Sequence, residues 1–542
     1  MFGRRLIALR AGSCVALATL VSVASLVFIS SAHAQDGYRQ PPTAVAQILD
    51  APALPSVVVT PDRKHLLLLD RPGLPSIAEI AAPEYRVAGI RLDPRTSGPS
   101  RQNPARGLSI MSIDGGPSTP IAMSLPAGAG VGNVTWSPNG ARFAFVVSTS
   151  DALTLWVGDL RTRSAKQLST RRLNAVLGAP CDWAGDEALV CTFVPQDRGA
   201  EPQATPVPSG PIAQEALTGR EDRAATYQDL LKNPHDEAIF AHYATSQLAR
   251  VSLDGTVTPI GPAGIVSAVN SSPDGRWLLV TTLARPFSYS VPLTYFPTTI
   301  AIWSLDGTVA RTLATRPLIE RVSWGGDGAQ VGPRSPSWRS DAAATLAWIE
   351  ALDGGNPATP APKRDRILAL SAPFTGAPVT MVETEWRARG ITWGRGDLAI
   401  ATEGSSRARK NRTWVIDPSG RNAPRLLWER SSEDRYNDPG AFVTMRDVRG
   451  RQVLHLTPDG KSAFLRGTGA SPEGDRPFLD KIDLALGKTE RLFRSTAPYY
   501  ETVDALLDEK GERLLTRRES VTEAPNYWQR DLVRRIAPRQ VT

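Results

Sequence analysis

Val269-Asn-Ser-Ser-Pro-Asp-Gly-Arg-Trp-Leu-Leu-Val280 consists of two short apolar runs joined by a Ser-Pro-Asp-Gly turn, which predicts a β-hairpin. A second hairpin follows in Ile300-Ala-Ile-Trp-Ser-Leu-Asp-Gly-Thr-Val-Ala-Arg-Thr-Leu313. Asp-Gly and Asn-Gly supply the positive φ that such tight turns need. The same signals recur in Val134-Thr-Trp-Ser-Pro-Asn-Gly-Ala-Arg-Phe-Ala-Phe-Val-Val147 and in Leu248-Ala-Arg-Val-Ser-Leu-Asp-Gly-Thr-Val-Thr-Pro-Ile260. Two consecutive hairpins make one four-stranded antiparallel sheet.

Hairpin pairs of this kind recur along the whole chain. Small antiparallel sheets that repeat about every 40 to 60 residues are typical of the blades of a β-propeller. The sequence therefore predicts an all-β propeller of seven or eight four-stranded blades over residues 56–542, since one pair could be shared between the ends to close the ring. The eight pairs begin at Val57, Val134, Cys181, Val266, Val322, Gly390, Leu454 and Val503.

Tryptophans recur at one position of the repeat, just before the first turn. One large aromatic residue per repeat is what a packing site between neighbouring sheets requires. We therefore expect these side chains to lie in the core rather than to stack on a ligand. They are Trp136, Trp183, Trp324, Trp338 and Trp393.

Residues 1–34 are expected to be removed from the mature protein. Three arginines precede an apolar run, and Ala32-His-Ala34 supplies small residues for cleavage after Ala34. This arrangement is typical of a secretory signal peptide, with a retained membrane anchor as the alternative. The sequence predicts a periplasmic or secreted protein without membrane contact after processing, in which residues 35–55 form a linker ahead of the propeller.

The charge of the chain argues against nucleic acid as a partner. The formal net charge is +8, and three of its arginines belong to the signal region. The remaining arginines alternate with acidic residues and form no stripe with aromatic residues. The densest cluster, Arg407-Ala-Arg-Lys-Asn-Arg412, is expected to be a solvated hairpin tip, and attraction of acidic ligands is the alternative.

Two cysteines remain after removal of the signal region, Cys181 and Cys191. They flank a turn signal at Gly185-Asp186, so they are placed to face each other across a hairpin, and an exported compartment permits oxidation. A structural disulfide is favoured over two buried thiols. Their spacing fits no zinc site.

A stretch of about fifty residues, 196–247, interrupts the third blade. Its first part is a loop rich in proline, and its later part is helical in composition over residues 224–232 and 234–248. Asn233 followed by Pro234 fits an N-cap with proline at the first helical position. The sequence therefore predicts a short helical insertion in this blade.

No catalytic, metal or cofactor motif is found in the sequence. A serine hydrolase with an α/β fold needs its nucleophile in a Gly-x-Ser-x-Gly turn between a strand and a helix, and that motif does not occur. No serine or cysteine nucleophile motif accompanies the histidines His65, His235, His242 and His455. The side chains of His235-Asp-Glu237 point in different directions around one helical turn, so they do not form a metal site. We expect no catalytic residue, no metal site and no cofactor in this chain.

Several long irregular stretches nevertheless resemble one family, the glutamyl endopeptidase branch of the prolyl oligopeptidase superfamily of serine peptidases. They are similar to parts of the propeller of that family, and the similarity extends over nearly all of the mature chain. The stretches are residues 226–237, 242–248, 332–339, 348–355, 364–376, 517–520 and 525–528.

The resemblance implies a propeller that caps a C-terminal α/β-hydrolase domain with a Ser-Asp-His triad. Such a cap restricts access to peptides and to small or unfolded proteins, and cleavage follows acyl-enzyme chemistry. The sequence stops at Thr542, where that domain should begin, so no triad residue can be assigned and the chain alone is expected to be inactive. A truncated peptidase is favoured, and a free-standing propeller that binds a peptide or protein partner is the alternative.

Overall fold

The computed structural model describes residues 41–51, 53–204, 226–320, 326–447, 449–534 and 536–542. The chain divides into two compact units, Met1–Pro52 and Ala53–Thr542. In the first unit, helix α1 (Thr43–Leu49) buries none of its side chains. None of the helices in these ranges is long and apolar enough to cross a membrane. The predicted signal peptide, with its cleavage position after Ala34, lies outside the described residues.

The second unit is built almost entirely from short antiparallel strands. Its first part contains β1 (Ser56–Val59), β2 (His65–Leu69), β3 (Tyr85–Val87), β4 (Ile90–Asp93), β5 (Gly98–Pro99), β6 (Leu108–Ser112), β7 (Thr119–Pro120), β8 (Gly130–Trp136), β9 (Arg142–Ser148), β10 (Leu153–Asp159), β11 (Ser164–Ser169), β12 (Cys181–Trp183), β13 (Ala188–Phe193), β14 (Gln247–Ser252), β15 (Val257–Pro259), β16 (Ile265–Ser271), β17 (Trp277–Leu283), β18 (Thr298–Ser304) and β19 (Val309–Arg316). Its second part contains β20 (Arg334–Trp338), β21 (Thr345–Ala351), β22 (Asp365–Ser371), β23 (Val379–Thr384), β24 (Arg387–Arg395), β25 (Leu398–Ser405), β26 (Lys410–Ile416), β27 (Arg425–Ser431), β28 (Ala441–Phe442), β29 (Thr444–Arg446), β30 (Gln452–Leu454), β31 (Ser462–Gly467), β32 (Phe478–Asp483), β33 (Thr489–Arg494), β34 (Tyr500–Leu506), β35 (Arg513–Glu519), β36 (Asn526–Asp531) and β37 (Arg539–Gln540). The helices between them are α2 (Ile77–Ile80), α3 (Pro234–Ala244) and one 3₁₀ turn (Leu293–Tyr295).

The described strands form eight four-stranded sheets, numbered I to VIII here in chain order. A three-stranded sheet of β3–β5 and a two-stranded sheet of β29 and β30 accompany them. The all-β propeller class predicted from the sequence is therefore confirmed. The sheets are I (β1, β2, β6, β7), II (β8–β11), III (β12–β15), IV (β16–β19), V (β20–β23), VI (β24–β27), VII (β28, β31–β33) and VIII (β34–β37).

Each sheet packs on the next through its own hydrophobic cluster, and the last sheet packs on the first. Leu66 and Leu68 of sheet I share a cluster with Leu515 and Val541 of sheet VIII. The repeated tryptophans fill such clusters: Trp136, Trp183, Trp338 and Trp393 are all buried, while Trp324 lies outside the described residues. Burial of these apolar faces is the main force that holds the sheets together.

The ring has two faces, because the connections between consecutive antiparallel strands lie alternately on opposite sides of it. The turns between the first and second strands, which carry Ser-Pro-Asp/Asn-Gly signals, lie on one side, called here the turn face. The connections between the second and third strands lie on the other side, the insertion face. First strands of successive sheets, such as β8 and β12 or β12 and β16, approach one another, which places them at the centre of the ring.

The insertion face carries a second small core. Helix α3, the β3–β5 sheet and the loop before β18 bury Val87, Phe240, Phe287 and Phe296 together. The ring of Phe240 meets those of Phe287 and Phe296 edge to face at 5.1 and 5.8 Å. These insertions from sheets I, III and IV therefore fold onto one another.

The helical insertion contains one helix in its described part, where the composition predicts two. Residues 226–232 are not helical, and residues 224 and 225 lie outside the described ranges. Asp229 has φ +56°, its carbonyl accepts the N–H of Gly89, and its carboxylate binds Arg91 at 2.7 Å. Leu231 is buried in the same core. Tertiary contacts thus hold this segment irregular and override its helical composition.

Sheet VII also differs from the prediction. Its hairpin pair was expected to begin at Leu454, but its first strand is β28, in which Ala441 pairs with Arg466 of β31. Leu454 instead ends β30, which pairs with β29. The prediction was wrong here because a separate hairpin is inserted between the first and second strands of this sheet.

Candidate functional site

The hairpin inserted in sheet VII reaches from the turn face of that sheet to three other sheets. It consists of β29, β30 and the described tip residues Asp447, Arg449, Gly450 and Arg451, and it is called the arginine hairpin below. It follows directly on β28, a first strand, so it starts at the centre of the ring. This position makes it the candidate functional site.

The tip of the arginine hairpin is shaped by Asp447. Its Oδ1 accepts the backbone N–H of Arg449 at 2.9 Å and that of Arg451 at 2.8 Å. Its carbonyl oxygen accepts the N–H of Gly450 at 3.0 Å. Aspartate side chains commonly stabilise turns in this way. These hydrogen bonds stabilise the turn from within the hairpin.

Three arginines fasten the hairpin to backbone carbonyls at the edges of sheets II, IV and V. Each acceptor lies at the end of a first strand or in the turn that follows it, so the hairpin spans the centre of the turn face. The contacts are from Arg446 Nη2 to the oxygens of Trp136 (3.3 Å) and Ser137 (3.2 Å), from Arg451 Nη2 to those of Ser271 and Ser272 (both 2.9 Å), and from Arg449 Nη1 to that of Asp341 (3.5 Å).

A cavity of about 270 Å³ lies beneath the tip, between the hairpin and sheets II and III. Its walls combine the tryptophans Trp136 and Trp183 with the three arginines of the hairpin. Asp182 also lines it, and both oxygens of that carboxylate already accept backbone N–H groups, from Trp183 at 3.0 Å and Ser271 at 2.8 Å. The cavity is therefore lined mainly by polar groups, with the two buried tryptophans behind them.

Two arginines of the hairpin, Arg446 and Arg451, lie close enough to influence each other. Burial lowers the pKa of Arg446, and the charge of Arg451 lowers it further, against a smaller opposing effect of Asp447. The Nε–H of Arg446 is buried and has no hydrogen-bond partner among the described residues. Since an arginine stays charged at any ordinary pH, Arg446 and Arg451 remain two like charges close to each other.

The four histidines of the described ranges lie in separate places. Nδ1 of His65 is 3.0 Å from Asp62, while His235 and His242 lie near the two ends of α3. His455 is buried against the ring of Phe464, and burial lowers its pKa to about 4. In the described ranges, no three His, Cys, Asp or Glu side chains are arranged to hold a metal.

The two cysteines are bonded in the structure. Cys181 of β12 pairs directly with Cys191 of β13, and their sulfur atoms are 2.06 Å apart. This disulfide cross-links the two strands of the first hairpin of sheet III, next to Asp182 and Trp183, which line the cavity. It belongs to the framework around the site.

The basic cluster at residues 407–412 lies on the insertion face, in the turn between β25 and β26. Arg407 is exposed there, as expected for a solvated hairpin tip. Arg412 differs, because its guanidinium stacks on Trp386 at 4.0 Å and pairs with Glu385 and Glu429 at 2.7 Å. Its charge is therefore neutralised within the fold.

Sequence analysis did not single out the arginine hairpin. The signal was present as Asp447-Val-Arg-Gly-Arg451, a turn-like run between two short apolar stretches. It was hidden because the Thr-Pro-Asp-Gly turn that follows carries the stronger repeat pattern.

Comparison with known proteins gives a clear sequence match. No protein-family model matches the chain. Proteins of Oryza sativa subsp. japonica and Arabidopsis thaliana, each named probable glutamyl endopeptidase, chloroplastic, are 37% and 36% identical to it over 519 residues. The match covers 91% of this chain but 55% and 54% of the two relatives, so the chain spans about half the length of the curated relatives it matches.

Solved structures are similar at low sequence identity. A prolyl endopeptidase structure has a TM-score of 0.42 and 12% identity, covering 94% of this chain and 59% of that chain. The β-propeller domain of the Trilobed protease from Pyrococcus furiosus has a TM-score of 0.36 and 10% identity, covering 76% of this chain and 98% of that chain.

Proposed function

This chain belongs to the glutamyl endopeptidase branch of the prolyl oligopeptidase superfamily, and from that premise we propose that it is the propeller part of an exported serine peptidase. It admits peptide substrates and positions them for a hydrolase domain encoded outside these residues. The observation that supports this proposal most strongly is the 37% identity over 519 residues, a match that covers 91% of this chain. The disulfide between Cys181 and Cys191 supports an oxidising, exported compartment.

The path of the chain through the sheets supports a role of the propeller in admitting peptides. Because every sheet has four antiparallel strands, the chain leaves each sheet on the insertion face, where it also came in. A hydrolase domain joined to the propeller would therefore attach on that side. A peptide that crosses the ring from the turn face must pass the arginine hairpin, which makes this hairpin the gate of the proposed pathway.

The test uses the natural gene and a reagent for serine nucleophiles. We expect the coding DNA beyond codon 542 to contain a hydrolase frame with Gly-x-Ser-x-Gly, and its full product to be labelled by a fluorophosphonate and to cut peptides after glutamate. The 542-residue chain is expected to stay unlabelled. A clean stop followed by an unrelated gene, or a labelled 542-residue chain, would contradict the proposal.

One observation favours a second function, that of a free-standing binding propeller without catalysis. Sheet VIII closes on sheet I through Leu66, Leu515 and Val541, so the ring completes its own core. Such a body needs no second domain to fold. The same inspection of the downstream DNA separates the two functions.

A further inference from the structure

Two short segments on the insertion face share a local motif, Ser-x-x-Glu. In the segment that contains α2, Oγ of Ser76 accepts the N–H of Glu79 at 3.2 Å, and Oε2 of Glu79 accepts the N–H of Ser76 at 2.6 Å. In the other, Oγ of Ser520 accepts the N–H of Glu523 at 3.0 Å, and the N–H of Ser520 donates to the carbonyl oxygen of Glu523 at 3.0 Å. Local hydrogen bonds of this kind stabilise short turns from within.

Each segment presents an apolar side chain to solvent directly after its serine. Val521 is 99% exposed and Ile77 is 84% exposed, the two highest values among the large apolar residues of the described ranges. Ile80 lies three residues after Ile77, on the same side of α2, and Leu74 precedes the helix; both are also exposed. These four side chains are called the apolar dock below. Exposed apolar patches on a protein commonly mark interaction sites.

The two segments belong to neighbouring sheets. Each follows the second strand of its sheet, β2 in sheet I and β35 in sheet VIII. Leu66 and Leu68 of β2 share the closure cluster with Leu515 of β35, so the two strands lie side by side across the closure of the ring. Connections between second and third strands lie on the insertion face. The apolar dock therefore occupies adjacent sectors of that face.

The C-terminal end of the propeller lies beside the dock. Oγ of Thr542 accepts the N–H of Tyr527 at 3.1 Å, and Tyr527 belongs to β36, which begins shortly after Glu523. A segment joined after Thr542 would thus start on the insertion face near Val521. The two relatives are longer than this chain, since the match covers 55% and 54% of them. Such a segment is therefore the partner that lies nearest to the dock.

We propose that the apolar dock binds the hydrolase domain joined after Thr542, through apolar side chains of that domain. The inference rests on the proposed function and deepens it, because it names the propeller residues that hold the domain on the insertion face. Burial of the exposed apolar side chains supplies the driving force. The Ser-x-x-Glu hydrogen bonds reduce the cost of binding, because both segments are ordered before the domain binds.

The test compares hydrogen exchange in the full product of the gene with that in the 542-residue chain. We expect peptides that cover residues 74–82 and 520–525 to exchange about tenfold more slowly in the full product, because amides under a bound domain open less often. The turn around Leu486 serves as the reference. Leu486 is 69% exposed but lies on the turn face, so its exchange should be the same in both proteins.

Variants assign the protection to the apolar side chains. In the full product, Ile77→Lys combined with Val521→Lys is expected to remove most of the protection, because an ammonium group is costly to bury against an apolar surface. The matched control is Leu486→Lys, which adds the same charge at an exposed leucine on the turn face and should leave exchange in both segments unchanged. Circular dichroism and thermal unfolding of the 542-residue chain with the same substitutions establish that the propeller is folded.

The outcomes separate this inference from the proposed function. Equal exchange of both segments in the two proteins, in a full product that a fluorophosphonate labels, would overturn the dock and leave the peptidase supported. Equal effects of the lysine pair and of Leu486→Lys would also overturn the dock. If the 542-residue chain alone forms a dimer in which the same segments are protected, the patch belongs to a second copy and the inference is wrong. A gene without a downstream hydrolase frame would overturn the proposed function and this inference with it.

Discussion

Gly450 of the arginine hairpin lies directly against Pro138 of the ring. Its φ is +73°, a conformation that costs other residues free energy. A Cβ atom at this position would lie 2.5 Å from the Cα of Pro138 and 3.0 Å from its carbonyl oxygen. Backbone atoms cannot move aside as a flexible side chain can, so only glycine lets the tip rest on sheet II.

Substitution of this glycine should therefore lift the hairpin. We expect Gly450→Ala to raise the rate of tryptic cleavage after Arg449 or Arg451 by about tenfold, which corresponds to about 1.4 kcal/mol of lost local stability. The cleavage sites are identified by mass spectrometry of the fragments. The rest of the propeller should stay folded, because its sheets do not depend on the tip.

The control for this experiment separates the clash from the cost of positive φ. Gly420 has φ +72° but open space where a Cβ would lie. Gly420→Ala should leave cleavage in the arginine hairpin at the wild-type rate. Equal cleavage of the two variants would show that close contact with Pro138 does not hold the hairpin.

At the scale of elements, helix α3 shows how the insertion is anchored. Its N-terminus is capped by Asn233, whose side chain accepts the N–H of Asp236 at 2.9 Å, and Pro234 occupies the first turn. Its inward side buries Ile239, Phe240 and Tyr243. Local capping thus sets where the helix begins, and packing against the β3–β5 sheet and the loop before β18 sets which side faces inward.

Removal of the cap should loosen this helix without disturbing the sheets. Asn233→Ala is expected to cost about 1 kcal/mol, because a helix N–H loses its acceptor. Hydrogen exchange in peptides that cover residues 234–244 should then become about fivefold faster. Asn233→Asp keeps an acceptor and should exchange as the wild type does. Unchanged exchange in Asn233→Ala would indicate that packing alone holds the helix.

At the scale of the whole propeller, the ring depends on the interface between its last and first sheets. Among the described strands, each four-stranded sheet is made from one continuous segment, and none from one end of the chain joins the sheet at the other end. Closure therefore relies on side-chain packing, with Leu66, Leu68, Met111, Leu507, Leu515 and Val541 buried between sheets VIII and I.

The strength of this closure can be measured against an interior interface. Leu515 in the closure cluster and Leu479 between sheets VII and VIII are both fully buried. Leu515→Ala and Leu479→Ala should each lower the free energy of unfolding by about 2 to 5 kcal/mol, as buried leucines do when a cavity is left. Denaturant unfolding gives both values. A loss below about 1 kcal/mol for Leu515→Ala alone would indicate that the ring is not closed by packing.

The architecture of this chain could be predicted because its signals are local and repeated. Asp-Gly and Asn-Gly turns, alternating apolar strands and the tryptophans that recur before the first turn of several repeats each act within a dozen residues, and together they indicate a propeller. Because these signals are local, the helix predicted within residues 224–232 was wrong. Residues 226–232 have helical composition, yet Asp229 and Leu231 are held by contacts with the β3–β5 region that no nearby residue reveals.

The candidate site could not be predicted from such local signals. Arg446, Arg449 and Arg451 are ordinary surface-type residues in the sequence, and their partners in sheets II, IV and V are between 108 and 310 positions away. Backbone carbonyls are their acceptors, so no acidic residue in the sequence marks the contact. The family, too, came from the sequence, through long irregular stretches that the repeat does not require.

Sequence alone therefore determined the class of fold, the spacing of its sheets and the family, because turn chemistry and apolar alternation act between neighbours along the chain. Only the tertiary structure shows that a hairpin with three arginines spans the centre of the turn face and lies over a cavity between sheets II and III. That arrangement depends on ring closure, which brings the backbone carbonyls of distant sheets within reach of three arginines on one hairpin.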